Sequence, residues 1–138
     1  MTNAEQGILQ PEAAESLGRA LAARLRDLSI DAVVLWCDPR AAVLGHVVAR
    51  ELGAELVYAY SDLGILTLSS TPPPGTRAAL LDYVWEPDPG LVPLLTMVRH
   101  SAEVAAVASV LSPPDSLRHN DIGPAVLISL EPTTTAAH

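Results

Sequence analysis

The chain has 138 residues, a formal net charge of −8 and an apolar content of 49%, enough to bury a core in one domain spanning residues 1–138 and too hydrophobic for a disordered tail. All 8 basic residues are Arg, and they form no basic stripe. That composition excludes a nucleic-acid binder and leaves little positive charge for polyphosphates. No run approaches the roughly 18 to 20 apolar residues of a membrane span, and the N-terminus lacks the basic-then-apolar pattern of a signal peptide. A single Cys37 rules out an internal disulfide and fits a reducing, cytoplasmic setting.

In chain order, Pro11 suits the first turn of a helix, and Ala14, Leu17, Leu21, Leu25 and Leu28 recur at helical spacing. Residues 32–36, AVVLW, form a buried-strand pattern that CDPR interrupts, and residues 41–52 return to helical spacing with Gly53 as a C-terminal cap. Residues 55–60 alternate, break at Asp62-Leu63-Gly64 and resume over 65–68, which predicts a hairpin or flap. After the TPPPG connector at 71–75 comes the stretch around which the rest is arranged. Residues 78–81 are a short apolar run that ends at Asp82, followed by Pro87, Pro89 and Gly90, then by Leu91, Val92, Leu94, Leu95 and Val98 at helical spacing. Residues 103–111 and 125–130 read as further strands, 112–124 as a loop with one helical turn near 115–119, and 131–138 as a frayed tail. Strands alternating with helices predict an α/β fold with a mostly parallel sheet. The loops 37–41 and 83–90 then open at the same sheet edge, where ligands bind in such folds.

This layout resembles the type I phosphoribosyltransferases, in particular the orotate phosphoribosyltransferase-like members. AVVLWCDPRAAVLGHVVARELGAELVYA follows the family's strand, Gly-Pro-Glu-x-Arg-Gly loop and helix without gaps, with Asp38 and Arg40 on the acid and the arginine. PPGTRAALLDYVW looks like the segment entering the diphosphate-sugar motif, SAEVAAVASVL like the strand after it and GPAVLISL like the closing strand. The resemblance implies a parallel central sheet flanked by helices with a flap near residues 55–70, and a dimeric protein. It also implies a site for phosphoribosyl pyrophosphate with Mg²⁺ bound only alongside it. On this resemblance Asp38, Arg40 and Ala41 stand in the pyrophosphate loop, and Asp82, Tyr83, Glu86, Asp88 and Gly90 in the phosphate loop.

The departures from the family pattern bear on function. Active members follow the strand with two adjacent acids, two apolar residues and a loop close to Thr-Thr-Gly-Gly-Thr; here the run is Asp82-Tyr83-Val84-Trp85-Glu86-Pro87-Asp88-Pro89-Gly90. A phosphate loop aims backbone N–H groups at an anion, and Pro87 and Pro89 have none. Losing two charge-assisted bonds of ~1.5 to 3 kcal/mol each costs about 3 to 6 kcal/mol. Glu86 and Asp88 add repulsion of ~1 to 4 kcal/mol. Phosphate affinity is then lower by roughly three orders of magnitude or more. The flap carries no basic residue between Gly53 and Thr76, and Trp36 and Ala41 replace loop glycines, where an indole crowds the turn.

Each residue also has a plainer reading. Asp82 can cap the next turn, Arg40 can brace Asp38, and Glu86 with Asp88 can be a solvated turn or cap the next helix. His46, His100, His119 and His138 lack metal-site spacing. Cys37 reads as a buried inert thiol, and Trp36 and Trp85 as core or interface residues. No residue is singled out as catalytic and no metal site is expected. Three functions remain: a phosphoribosyltransferase-like protein that has lost catalysis and binds, regulates or builds an oligomer; an active transferase to a nucleobase; and an interaction module with a protein partner.

Overall fold

The computed structural model describes residues 10–85, 90–112 and 122–130. Helix α1 (Pro11–Leu25) continues into a 3₁₀ turn (Arg26–Leu28). Then follow β1 (Ala32–Trp36), α2 (Pro39–Leu52), β2 (Glu55–Asp62), β3 (Ile65–Leu68), β4 (Arg77–Asp82), α3 (Leu91–Arg99), β5 (Glu103–Ser109) and β6 (Val126–Ser129). The six strands form one sheet in the order β3-β2-β1-β4-β5-β6. Every pairing is parallel except β2 with β3, the predicted hairpin.

Apolar runs in β1 and β4 make both faces of the sheet interior. Val33, Leu35, Ala79 and Leu81 pack with Leu21, Leu25, Leu44 and Val48 under α1 and α2. Ala32, Val34, Ala78 and Leu80 pack with Leu91, Leu94, Leu95 and Val98 of α3 on the opposite face. This division follows from connectivity. The crossover from β1 to β2 runs one way along the sheet and that from β4 to β5 the other, so crossovers of one hand put α2 and α3 on opposite faces. Between β4 and β5 the register slips at Ala78/Ala79, and Ala105 and Ala106 both join the α1/α2 side, as a β-bulge requires.

Helices α1 and α2 approach closely where Gly18 meets Val47; a Cβ on Gly18 would lie 2.5 Å from Val47 Cγ1. At the N-terminal ends of the strands, polar groups are stitched together. Asp31 donates its N–H to the Arg77 carbonyl (2.8 Å), and its side chain accepts the Arg77 N–H (3.0 Å). The Arg77 guanidinium donates to the Leu28 carbonyl (2.9 Å) and pairs with Glu103 (3.0 Å). The hairpin turn places Leu63 at φ 53° and Gly64 at φ 81°, the two positive angles of a type I′ turn. Leu63 is 95% exposed at its tip. No described helix is long and apolar enough to cross a membrane.

Candidate functional site

The neighbours β1 and β4 send their crossovers in opposite directions, so their C-terminal ends form a topological switch point, where open α/β sheets bind ligands. A cavity of about 340 Å³ opens there. Trp36, Cys37, Asp38 and Arg40 line it from the end of β1 and the start of α2, and Asp82 and Gly90 from the end of β4 and the approach to α3. The third wall is Ala59, Tyr60 and Ser61 of β2.

On the β1 side, helix α2 begins two residues earlier than the apolar spacing predicts. Asp38 is its N-cap in extended conformation, and Pro39 is its first residue. Pro39 donates no N–H at the position where none is needed, and the Asp38 carboxylate accepts from the Arg40 N–H (2.9 Å) and the Ala41 N–H (3.2 Å). The acid that the resemblance puts in the pyrophosphate loop thus binds the helix N-terminus itself. Ala41 is buried in the core. The Arg40 guanidinium lies 5.7 Å from the centroid of the Tyr83 ring, within cation–π range. Cys37 is exposed at the cavity mouth, which corrects the expectation of a buried thiol. Thiols usually favour the core, but this one follows the last residue of the strand, beyond the cover of α2.

On the β4 side, Asp82 is only 5% exposed, and its Oδ1 accepts the Tyr83 N–H (2.7 Å), the turn-capping role. It also lines the cavity wall. Tyr83 and Trp85 are buried, one on each side of the sheet. The Tyr83 carbonyl accepts from Val110 and Leu111 (3.1 and 3.0 Å), tying the turn after β4 to the end of β5. The Trp85 indole N–H is buried and has no hydrogen-bond partner among the described residues. Glu86 and Asp88 lie outside the described residues.

A hydrogen bond also joins the two sides: the Trp36 indole N–H donates to the Gly90 carbonyl across the cavity (2.9 Å). The indole expected to crowd the first loop instead bridges it to the second. The β2 wall was not anticipated from the sequence. Its signal is length, because β2 runs to Asp62 while the β1 pairing ends at Trp36 with Ala59, leaving Tyr60 and Ser61 beyond the end of β1. His46 is exposed on α2. Among the described residues, no group of three or more His, Cys, Asp or Glu side chains could hold a metal ion.

A mixed sheet with helices on both faces, a flap hairpin beside the switch point and a crevice between the first and fourth strands define the type I phosphoribosyltransferase fold. Solved structures bear this out. The adenine phosphoribosyltransferase of Thermoanaerobacter pseudethanolicus matches with a TM-score of 0.70 at 16% identity, over 87% of this chain and 80% of that one. The Trypanosoma brucei adenine phosphoribosyltransferase, solved with AMP, pyrophosphate and ribose-5-phosphate, matches with a TM-score of 0.69 at 15% identity. That match covers 87% of this chain, which spans only 64% of the length of the trypanosomal enzyme. The Mycobacterium tuberculosis orotate phosphoribosyltransferase, in complex with inorganic phosphate, gives a TM-score of 0.66 at 16% identity, over 92% and 75%. No protein-family model and no curated protein sequence matches the chain.

Proposed function

We propose that this chain is a phosphoribosyltransferase-fold protein that no longer transfers phosphoribosyl groups. In this reading it serves a binding, regulatory or oligomer-building role in the cytoplasm, as a homodimer or with a protein partner. The observation that carries this reading is the Trp36 to Gly90 hydrogen bond, which sets an indole across the crevice between the two loops. Three further features agree. The helix N-terminus that would attract an anion is occupied by Asp38. Arg40, the only basic residue among the described residues that line the cavity, sits over Tyr83. The sequence of the phosphate loop supplies two prolines and two acids where N–H donors are needed.

The test is calorimetric titration of phosphoribosyl pyrophosphate with Mg²⁺ into the folded protein, with phosphate and pyrophosphate as controls. No heat at millimolar ligand is the expected result. Micromolar binding, or a product peak with a nucleobase that disappears in Asp82→Ala, overturns the reading and makes the chain an active transferase.

A further inference from the structure

We propose that β3 is the seam of a symmetric dimer, its free edge pairing antiparallel with β3 of a second copy of this chain about a two-fold axis at Thr67. This inference rests on the oligomer-building part of the reading above, for which it names the surface, and not on the loss of catalysis.

Strand β3 ends the sheet, and among the described residues it pairs only with β2. The direction of its backbone groups follows from two hydrogen bonds. The Ser69 N–H donates to the Tyr58 carbonyl (2.7 Å), and the Cys37 N–H donates to the Ala59 carbonyl (2.8 Å). Tyr58 therefore turns its backbone groups to β3, and Ala59 turns its own to β1. Because these directions alternate along a strand, Tyr60 and Asp62 also face β3, and the residues opposite them, Thr67 and Ile65, face β2. Leu66 and Leu68 then point their N–H and C=O groups outward from the edge. Edges of this kind are normally blunted by charge, proline or a bulge, and β3, ILTL, has none of these. Its surface is open as well: Thr67 is exposed, Ile65 is 68% exposed and Leu63 at the hairpin tip 95%.

One register makes this edge complementary to itself. Centred on Thr67, it sets Leu66 opposite Leu68 of the second copy and Leu68 opposite the second copy's Leu66, and each such pair exchanges both N–H···O bonds. Both leucines already pack in part on the α3 side of the sheet, and here each covers the flank of the other. Thr67 meets Thr67 of the second copy in a closer, non-hydrogen-bonded pair, a favourable combination across strands. Charge favours a second copy as the occupant. The chain carries a net charge of −8, yet the only charged residues between Gly53 and Thr76 are Glu55 and Asp62, both on β2. In this pairing the two β2 strands stand three strand spacings apart, roughly 14 Å. That exceeds the ~8 to 10 Å over which exposed charges act at ordinary salt. At the β3 edge two acidic copies meet without opposing their carboxylates.

The experiment is sedimentation equilibrium of the full chain and of Thr67→Arg, together with air oxidation of cysteine variants in a Cys37→Ser background. The parent chain is expected at twice 14.5 kDa at micromolar concentration. Thr67→Arg sets like charges directly opposite each other and should raise the dimer dissociation constant at least tenfold, with the circular dichroism of the folded chain retained. Thr67→Cys should form a covalent dimer, because the Cα atoms of the closer type of pair lie about 4.5 Å apart, within disulfide range. Ile65→Cys should not, because Ile65 stands opposite Ser69 of the second copy, far from the other Ile65. A parent chain that sediments as a monomer throughout the micromolar range overturns the proposal and leaves the edge to a strand of another protein. A dimer that Thr67→Arg does not weaken, or one that crosslinks through residue 65 as readily as through residue 67, overturns it by placing the contact elsewhere. The phosphoribosyl pyrophosphate titration is separate: binding there leaves the dimer standing, and a monomer here leaves the loss of phosphate binding standing.

Discussion

The two ends of the sheet treat their polar groups in opposite ways. At the N-terminal ends of the strands, Asp31, Arg77, Glu103 and the Leu28 carbonyl are joined in one set of hydrogen bonds. At the C-terminal ends, a carboxylate faces a cavity, an indole bridges two loops, and a second indole N–H is buried with no partner among the described residues. Buried polar groups are normally satisfied because leaving one unpaired costs about 1 to 3 kcal/mol. Among the described residues, the first end has its polar groups paired with one another, and the second presents polar groups to a cavity. The cavity lies at this second end, where β1 and β4 finish.

The largest expected effect tests the cost of the C-terminal end. Trp85→Ala removes a buried indole from the α3 side of the core and should destabilise by about 3 to 5 kcal/mol in urea unfolding. Trp85→Phe deletes an N–H that has no partner among the described residues while keeping a ring, so it should cost no more than ~1 kcal/mol. Equal losses in the two variants would mean that the indole N–H is satisfied in solution and would erase the contrast. A middle-sized effect tests the other end. Arg77→Leu removes the charge-assisted bond to the Leu28 carbonyl and should lower stability by about 1.5 to 3 kcal/mol, read from the urea midpoint at constant slope. Glu103→Gln, at the exposed end of the same ion pair, should change stability by ~0 to 1 kcal/mol.

The smallest effect lies outside both ends, on the surface joining α1 and α2. There Arg50 and Arg19 both donate to Glu15 at 2.6 Å. The Arg50 hydrogen bond, chiefly, holds the Glu15 carboxyl below the ordinary carboxylate range. A carboxyl lowered in the folded state contributes stability that is present above its unfolded pKa and is lost as pH falls through its folded value. Glu15→Gln should therefore slightly flatten the acid limb of stability against pH. Because the group is exposed, high salt should remove the difference between variant and parent.

Much of the fold is legible in the sequence because two local patterns reinforce each other. The runs AVVLW and RAALLD have no polar interruption, as strands covered on both faces require, and β1 and β4 lie at the centre of the sheet. The flap was readable from alternation broken by Leu63-Gly64. The start of α2 was less so, because hydrophobic spacing begins only at Ala41, while the helix is set by Asp38 as cap and Pro39 as first residue. Those two residues read equally well as a loop. At the site, Asp82, Asp38, Arg40 and Gly90 were placed by their positions at strand ends. Tyr60, Ser61 and the exposure of Cys37 were not, because they depend on how far β2 and α2 reach relative to β1. That is a difference in element length which no local pattern encodes.

The bulge in β5 makes one strand of the sheet tolerant of losing a residue. Elsewhere in a buried strand a single deletion turns every later side chain to the wrong face. In β5, two residues already stand opposite one, since Ala78 pairs with Val104 and Ala79 with Ala106. Excising Ala105 would leave an uninterrupted ladder in which Val107 still lies beside Leu80 and Ser109 beside Asp82. The length of this strand is therefore free to vary by one without moving its end away from the crevice.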